Sequence, residues 1–184
     1  QWLDFGTDNY AGVTWSNTPG RYVYIGWMNN WIYSGAVPCS PWRSAMTLPR
    51  ELSLVDVNGV PVLASKVVDE IDNIAGEWEE LDSGEIGERD AFQLKLTLDM
   101  AKKASYRLEN EKGEYLELEY NPSIRMLSAK RNASTGDISF SSVFSFQAIR
   151  MPVYETADKV TFDIFVDRSS VEIISSEGKS AMTT

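Results

Sequence analysis

The sequence predicts an all-β protein built of short antiparallel strands, and three observations point there. Residues 92–98 and 115–120 alternate apolar and polar side chains with a period of two, as strands with one buried face do. Residues 160–166 and 170–174 flank Asp167-Arg168-Ser169, the pattern of a hairpin. Gly, Pro, Asn and Asp break the chain at strand-length intervals, as in an antiparallel sandwich or barrel.

The elements follow in chain order. Asn17-Thr18-Pro19-Gly20 reads as a turn, and residues 22–27 after it as a buried strand rich in aromatic and β-branched side chains. Residues 65–80 carry a weak pattern that fits one turn of helix. Asn110-Glu111-Lys112-Gly113 is a turn that leads into the strand at 115–120. An Asp at the 167–169 turn is expected to cap its own backbone. Residues 178–184 resemble the start of a final strand that runs on into more apolar sequence, so the chain is expected to stop early, as it is expected to begin in mid-pattern at Gln1.

Composition narrows the function. The formal net charge of the 184 residues is −10, which repels phosphate backbones and anionic lipid and argues against nucleic-acid or membrane-surface partners. No apolar run is long enough for a membrane helix. There is no histidine, so triads and zinc sites built on histidine are excluded from this stretch. The lone Cys39, between Val37-Pro38 and Ser40-Pro41, has no base beside it and reads as an inert thiol. Glu77, Glu79, Glu80, Asp82, Glu85 and Glu88 lack the spacing of a calcium loop and read as a solvated segment. Asn132-Ala133-Ser134 has the form of a glycosylation sequon. No metal or cofactor is called for.

Residues 1–47 hold five of the six tryptophans and few charges. Trp15, Trp27, Trp31 and Trp42 lie near Asp8, Asn9, Ser16, Asn17, Asn29 and Asn30. Flat aromatic faces with amides and carboxylates suit a sugar, and they equally suit a β core with polar turns. A boundary is expected near residues 48–56.

Four blocks carry a resemblance to a known family. Asp8-Asn9-Tyr10-Ala11 with Thr14-Trp15-Ser16-Asn17, then Gly26-Trp27-Met28-Asn29-Asn30-Trp31 with Tyr33, then Pro41-Trp42-Arg43 through Met46-Thr47-Leu48-Pro49-Arg50-Glu51-Leu52, then Phe165-Val166-Asp167-Arg168-Ser169-Ser170-Val171-Glu172 stand in order. Together they resemble the late part of glycoside hydrolase family 32, most loosely between about residues 70 and 115. The resemblance implies the last blade of a five-bladed β-propeller at residues 1–52 and a C-terminal antiparallel β-sandwich, truncated at its last strand, at 53–184. It implies a β-fructosidase of levanase, inulinase or invertase type, acting on fructan or sucrose with retention and without a metal. A retaining glycosidase uses two carboxyl groups about 5 Å apart. The family's motifs for them, W-M-N-D-P-N-G, R-D-P and E-C, are absent here. Trp27-Met28-Asn29-Asn30 imitates the start of the first, but Asn30 stands where the nucleophilic Asp belongs, and an amide cannot replace it. Asp4 and Asp8 could in principle form a carboxylate pair, but the family gives them no such role.

The expectation is therefore a fragment with no catalytic residue of its own, inactive alone. Trp31, Trp27 and Asp8 are its candidate substrate-binding residues, with Trp31 favoured over Trp27 as the pocket wall. Both tryptophans are expected on one strand, four residues apart and on one face. The expected partners are the carbohydrate, the missing N-terminal blades and, through an uncovered blade face, a second copy of the chain. The resemblance implies a secreted, periplasmic or cell-surface protein of a bacterium. The alternative is a non-catalytic fructan-binding sandwich module, against which the attached blade motifs argue.

Overall fold

The computed structural model describes residues 1–81, 84–132 and 138–184. Thirteen strands are defined there, in three antiparallel sheets. The first sheet gathers β1 (Tyr10–Thr14), β2 (Val23–Met28), β3 (Ala45–Met46), β4 (Arg50–Val57) and β5 (Val60–Val67) in the order β1-β2-β4-β5, with β3 also on β2. The turn before β2 forms as read: the Arg21 amide donates to the Thr18 carbonyl at 3.0 Å, and Gly20 takes φ 75°, which a residue without Cβ adopts freely. β4 and β5 form a hairpin in register from Arg50↔Val67 to Val57↔Val60. Its tip is Asn58-Gly59, both at positive φ, the backbone that a two-residue hairpin turn of matching twist requires. The first sheet thus runs on to Val67, and the helical turn expected in 65–80 follows as a 3₁₀ segment at Asp69–Asn73.

The second sheet has β6 (Phe92–Asp99), β11 (Lys159–Val166), β12 (Val171–Ser175) and β13 (Ala181–Thr183) in the order β13-β12-β11-β6. The third has β7 (Ala104–Glu109), β8 (Tyr115–Asn121), β9 (Met126–Arg131) and β10 (Ile149–Pro152) in the order β10-β9-β8-β7. A short helix, α1 (Ser142–Phe146), lies between β9 and β10 in sequence.

Alternation dictates what these two sheets bury. Leu116, Leu118 and Tyr120 of β8 and Val160, Phe162 and Ile164 of β11 take every second position and are buried. They join Leu98, Leu127, Met151, Ile173 and Met182 in one apolar cluster drawn from both sheets. At roughly 25 cal/mol per Å² of apolar surface, this cluster is the main source of stability in residues 92–184. The turns hold as expected: Asn110 Oδ1 accepts from the amides of Lys112 and Glu114, and Asp167 Oδ1 from the amide of Arg168.

Residues 4–8 join the first sheet to the second. The Phe5 amide donates to the Ala181 carbonyl at 2.8 Å and the Asp8 amide to the Thr183 carbonyl at 3.2 Å, so this segment lies along the β13 edge. Gly6 is required there, because a Cβ on it would stand 1.8 Å from the Thr183 carbonyl oxygen.

Candidate functional site

β2 ends at Met28, and Trp31 lies beyond it in a turn rather than on the strand with Trp27. The expectation of one continuous strand fails because the two asparagines satisfy the backbone locally. Asn29 Oδ1 accepts from the Asn30 amide at 2.9 Å, Asn30 Oδ1 accepts from the Ile32 amide at 3.0 Å, and the Asn30 carbonyl accepts from the Ser34 amide at 3.0 Å. Asparagine side chains compete with the ladder in this way. The two indoles still meet: their centroids are 5.2 Å apart at 53°, and Tyr10 packs edge-on against Trp27 at 6.3 Å. Trp31 is 76% exposed and Trp27 is partly buried. Trp15 and Trp42 are exposed too, while the ring contacts of this group run through Tyr10, Trp27 and Trp31.

Asp8 lies beneath the turn, 5% exposed. Its two oxygens both stand 2.6 Å from the Tyr33 hydroxyl, and they accept from Thr7 Oγ1 at 2.8 Å and from Asn30 Nδ2 at 3.0 Å. Tyr33 is 3% exposed. Burial pushes its phenol well above the ordinary range, and the neighbouring Asp8 charge adds to the rise. The phenol therefore remains a donor at neutral pH. Asn30 is a fastener: Nδ2 donates to Asp8 and to the Thr7 carbonyl while Oδ1 holds the turn.

The other motif residues interlock around this turn. Asn9 accepts from the Tyr24 hydroxyl at 2.6 Å and donates to Asp4 at 3.1 Å. Its amide leaves no room for a side chain at Gly26, where a Cβ would lie 2.0 Å from Asn9 Oδ1. The Gly26 amide donates to Thr47 Oγ1. Arg50, with no exposed surface, binds Asp4 at 2.8 Å and Glu172 at 2.6 Å and donates to Thr183 Oγ1 at 2.7 Å. Glu172 also accepts from the Leu48 amide. The block around Arg50 and the block ending in Glu172 are thus two halves of one buried charge cluster. Burial alone would raise the Asp4 carboxyl, but Arg50 with Thr183, Gly6 and Asn9 outweighs it and holds it low. At Glu172 burial wins and the carboxyl is raised despite Arg50.

Asp4 and Asp8 are committed to Arg50 and Tyr33 respectively, so they do not form a free carboxylate pair. Cys39 is exposed. Glu77, Glu79, Glu80, Glu85 and Glu88 are exposed, while Asp82 falls outside the described residues, as do Ala133 and Ser134 of the sequon. Among the described residues no group of three or more His, Cys, Asp or Glu could hold a metal ion, and no helix is long and apolar enough to cross a membrane. What the site offers is an exposed indole on a stiff polar base, suited to cover the C–H face of a sugar. Reading from sequence missed the parts played by Tyr33, Asp4 and Glu172. No local pattern signalled the last two, because the partners of Arg50 lie 46 and 122 positions away.

Comparison with known proteins identifies the family. Residues 1–66 match the model of the glycosyl hydrolases family 32 N-terminal domain, and residues 65–184 match that of the glycosyl hydrolases family 32 C terminal. The chain belongs to glycosyl hydrolase family 32. It is 33% identical to a levanase of Bacillus subtilis, over 99% of this chain and 29% of the levanase, and 29% identical to an extracellular exo-inulinase of Aspergillus niger, over 99% of this chain and 37% of that enzyme. The crystal structure of an exo-inulinase from Aspergillus awamori superposes with a TM-score of 0.83 at 26% identity, covering all of this chain and 38% of that one. The chain spans about a third of the length of these relatives.

Proposed function

We propose that the chain is the C-terminal part of an exported β-fructosidase that cleaves fructan or sucrose-type substrates, and that it supplies a wall of the sugar pocket rather than the reacting carboxylates. The observation that carries this reading is the Trp31 indole, exposed on a turn that Asn30, Asp8 and Tyr33 hold from below. Membership of the family and likeness to a levanase and an exo-inulinase support the substrate class, and the extracellular exo-inulinase supports export. The first sheet is, in this reading, the last blade of a propeller, and the second and third sheets are the faces of a β-sandwich. In this reading the join between them follows the end of β5 at Val67 rather than residue 52. The match of residues 1–66 to the N-terminal domain disfavours a free-standing binding module.

Trp31 covers apolar C–H groups of the fructosyl unit and excludes water from a developing oxocarbenium ion. Trp27 backs it, and Asp8 serves substrate through the turn it fastens. The test is Trp31→Ala and Trp27→Ala in the full-length enzyme, with thermal melts alongside. Trp31→Ala is expected to lose about 1–3 kcal/mol of transition-state stabilisation in kcat/KM while Tm barely moves. A large fall in Tm with unchanged efficiency per folded molecule would assign Trp31 to the core instead.

A further inference from the structure

A second layer lies behind the Trp31 turn, and it comes from the other end of the chain. Tyr33 packs edge-on against Phe144 of α1 at 5.4 Å and 82°, and against Phe140 at 6.0 Å and 77°. Phe140 and Phe144 contact each other at 4.8 Å. The Arg131 guanidinium, at the end of β9, lies 3.9 Å over the Phe144 ring, and its Nη1 donates to Thr184 Oγ1 at 2.7 Å. Burial lowers the Arg131 pKa, and the Asp8 charge and Tyr33 oppose that fall, so Arg131 and Asp8 feel one another. A continuous path runs Arg131–Phe144–Tyr33–Asp8–Asn30 to the amide of Ile32, next to Trp31.

Every step in that path has a physical consequence. Phe140 and Phe144 pack edge-on against the Tyr33 ring, which restricts where its hydroxyl meets the two Asp8 oxygens. Asp8, so held, presents one oxygen to Asn30, whose other end closes the turn. A buried carboxylate that lost Tyr33 would be left partly unsatisfied and would draw the turn out of place. Neither Phe144 nor Arg131 stands on the first sheet, whose β2 leads into the Trp31 turn; Arg131 ends β9, and Phe144 lies on α1, between β9 and β10.

We propose that Phe144, with Arg131 above it, is a positioning residue for the sugar-facing Trp31 turn, so that α1 and the end of β9 help set how the enzyme grips its fructosyl substrate. This rests on the reading of Trp31 as a pocket wall. It assigns the C-terminal part a share in substrate recognition beyond bracing the fold.

The test uses the full-length enzyme in four forms: wild type, Phe144→Ala, Trp31→Ala and the double variant, with Phe144→Tyr as the conservative control. Hydrogen exchange is read at the amides of Ile32 and Ser34 and, for reference, in β8. The proposal expects exchange of the 32–34 amides to quicken about tenfold or more in Phe144→Ala with β8 unchanged, and Phe144→Tyr to restore it. With sucrose as substrate, it expects Phe144→Ala to lose about 5–20-fold in kcat/KM, and the double variant to lose no more than Trp31→Ala alone. Unchanged exchange at 32–34, or losses that simply multiply in the double variant, would overturn the coupling. Quickened exchange with no loss of efficiency in Trp31→Ala would instead overturn the wall reading and leave the mechanical link standing.

Discussion

Arg50 shows how much one side chain can decide. Its guanidinium is buried between Asp4, Glu172 and Thr183, and deleting it would strand two carboxylates away from water. Arg50→Met is therefore expected to cost about 3–5 kcal/mol, the range for breaking a buried ion pair from one side. Glu172→Gln should cost less, about 1–3 kcal/mol, because Asp4 still balances Arg50 and an amide oxygen can still accept from Leu48. Denaturant unfolding of both variants checks the order, and a milder Arg50→Met would contradict it. The two acids also titrate in opposite senses. Asp4 is held below its ordinary value, so its contribution is present above that value and fades as pH falls through the folded one. Glu172 is raised, so the stability it contributes is present in acid and fades as pH rises through its folded value. Asp4→Asn should then flatten the acid side of the stability–pH curve, and Glu172→Gln the side toward neutrality. Unfolding midpoints from about pH 3 to 7 decide it.

At the scale of elements, strands with one buried face were the most legible. The alternation in 92–98, 115–120 and 160–166 gave β6, β8 and β11 within a residue or so, because period-two burial is written directly into composition. The Asn58-Gly59 hairpin carried an equally local signal, yet β4 is exposed at several positions and its alternation is blurred. The Trp27–Trp31 stretch misled for a different reason: its aromatic run looks like strand, while two asparagines end β2 through side-chain bonds that spacing does not reveal. Long-range partners such as Arg50–Glu172, 122 positions apart, are beyond any local pattern. The docking of residues 4–8 on β13 is another such contact, and it yields a test. Gly6→Ala would drive a methyl into the Thr183 backbone, so it is expected to cost about 3 kcal/mol, the upper part of the overpacking range. Thermal melts of Gly6→Ala check it; a change within about 0.5 kcal/mol would show that the segment can leave β13 freely.

For the molecule as a whole, the two halves differ in how well they are covered. The second and third sheets bury a shared apolar cluster, whereas every residue of β1 is exposed, with Tyr10, Val13, Trp15 and Tyr22 among the open side chains. An apolar face of that kind invites another surface. On the proposed reading, a neighbouring blade of the full-length enzyme covers it. The isolated chain is expected to self-associate through it, with faster hydrogen exchange in residues 1–50 than in the two-sheet core; a compact monomer protected throughout in sedimentation and exchange would count against this. The same division of labour predicts what the chain cannot do. On the proposed reading it offers an aromatic wall and a braced turn, while Asp4 and Asp8 are engaged by Arg50 and Tyr33, and a retaining glycosidase needs two free carboxyl groups. The most direct measurement is fructose release from sucrose, inulin and levan by the purified chain, run beside the full-length enzyme. The full-length enzyme should release fructose and the chain none above a buffer blank; turnover by the chain that survives repurification would contradict the account.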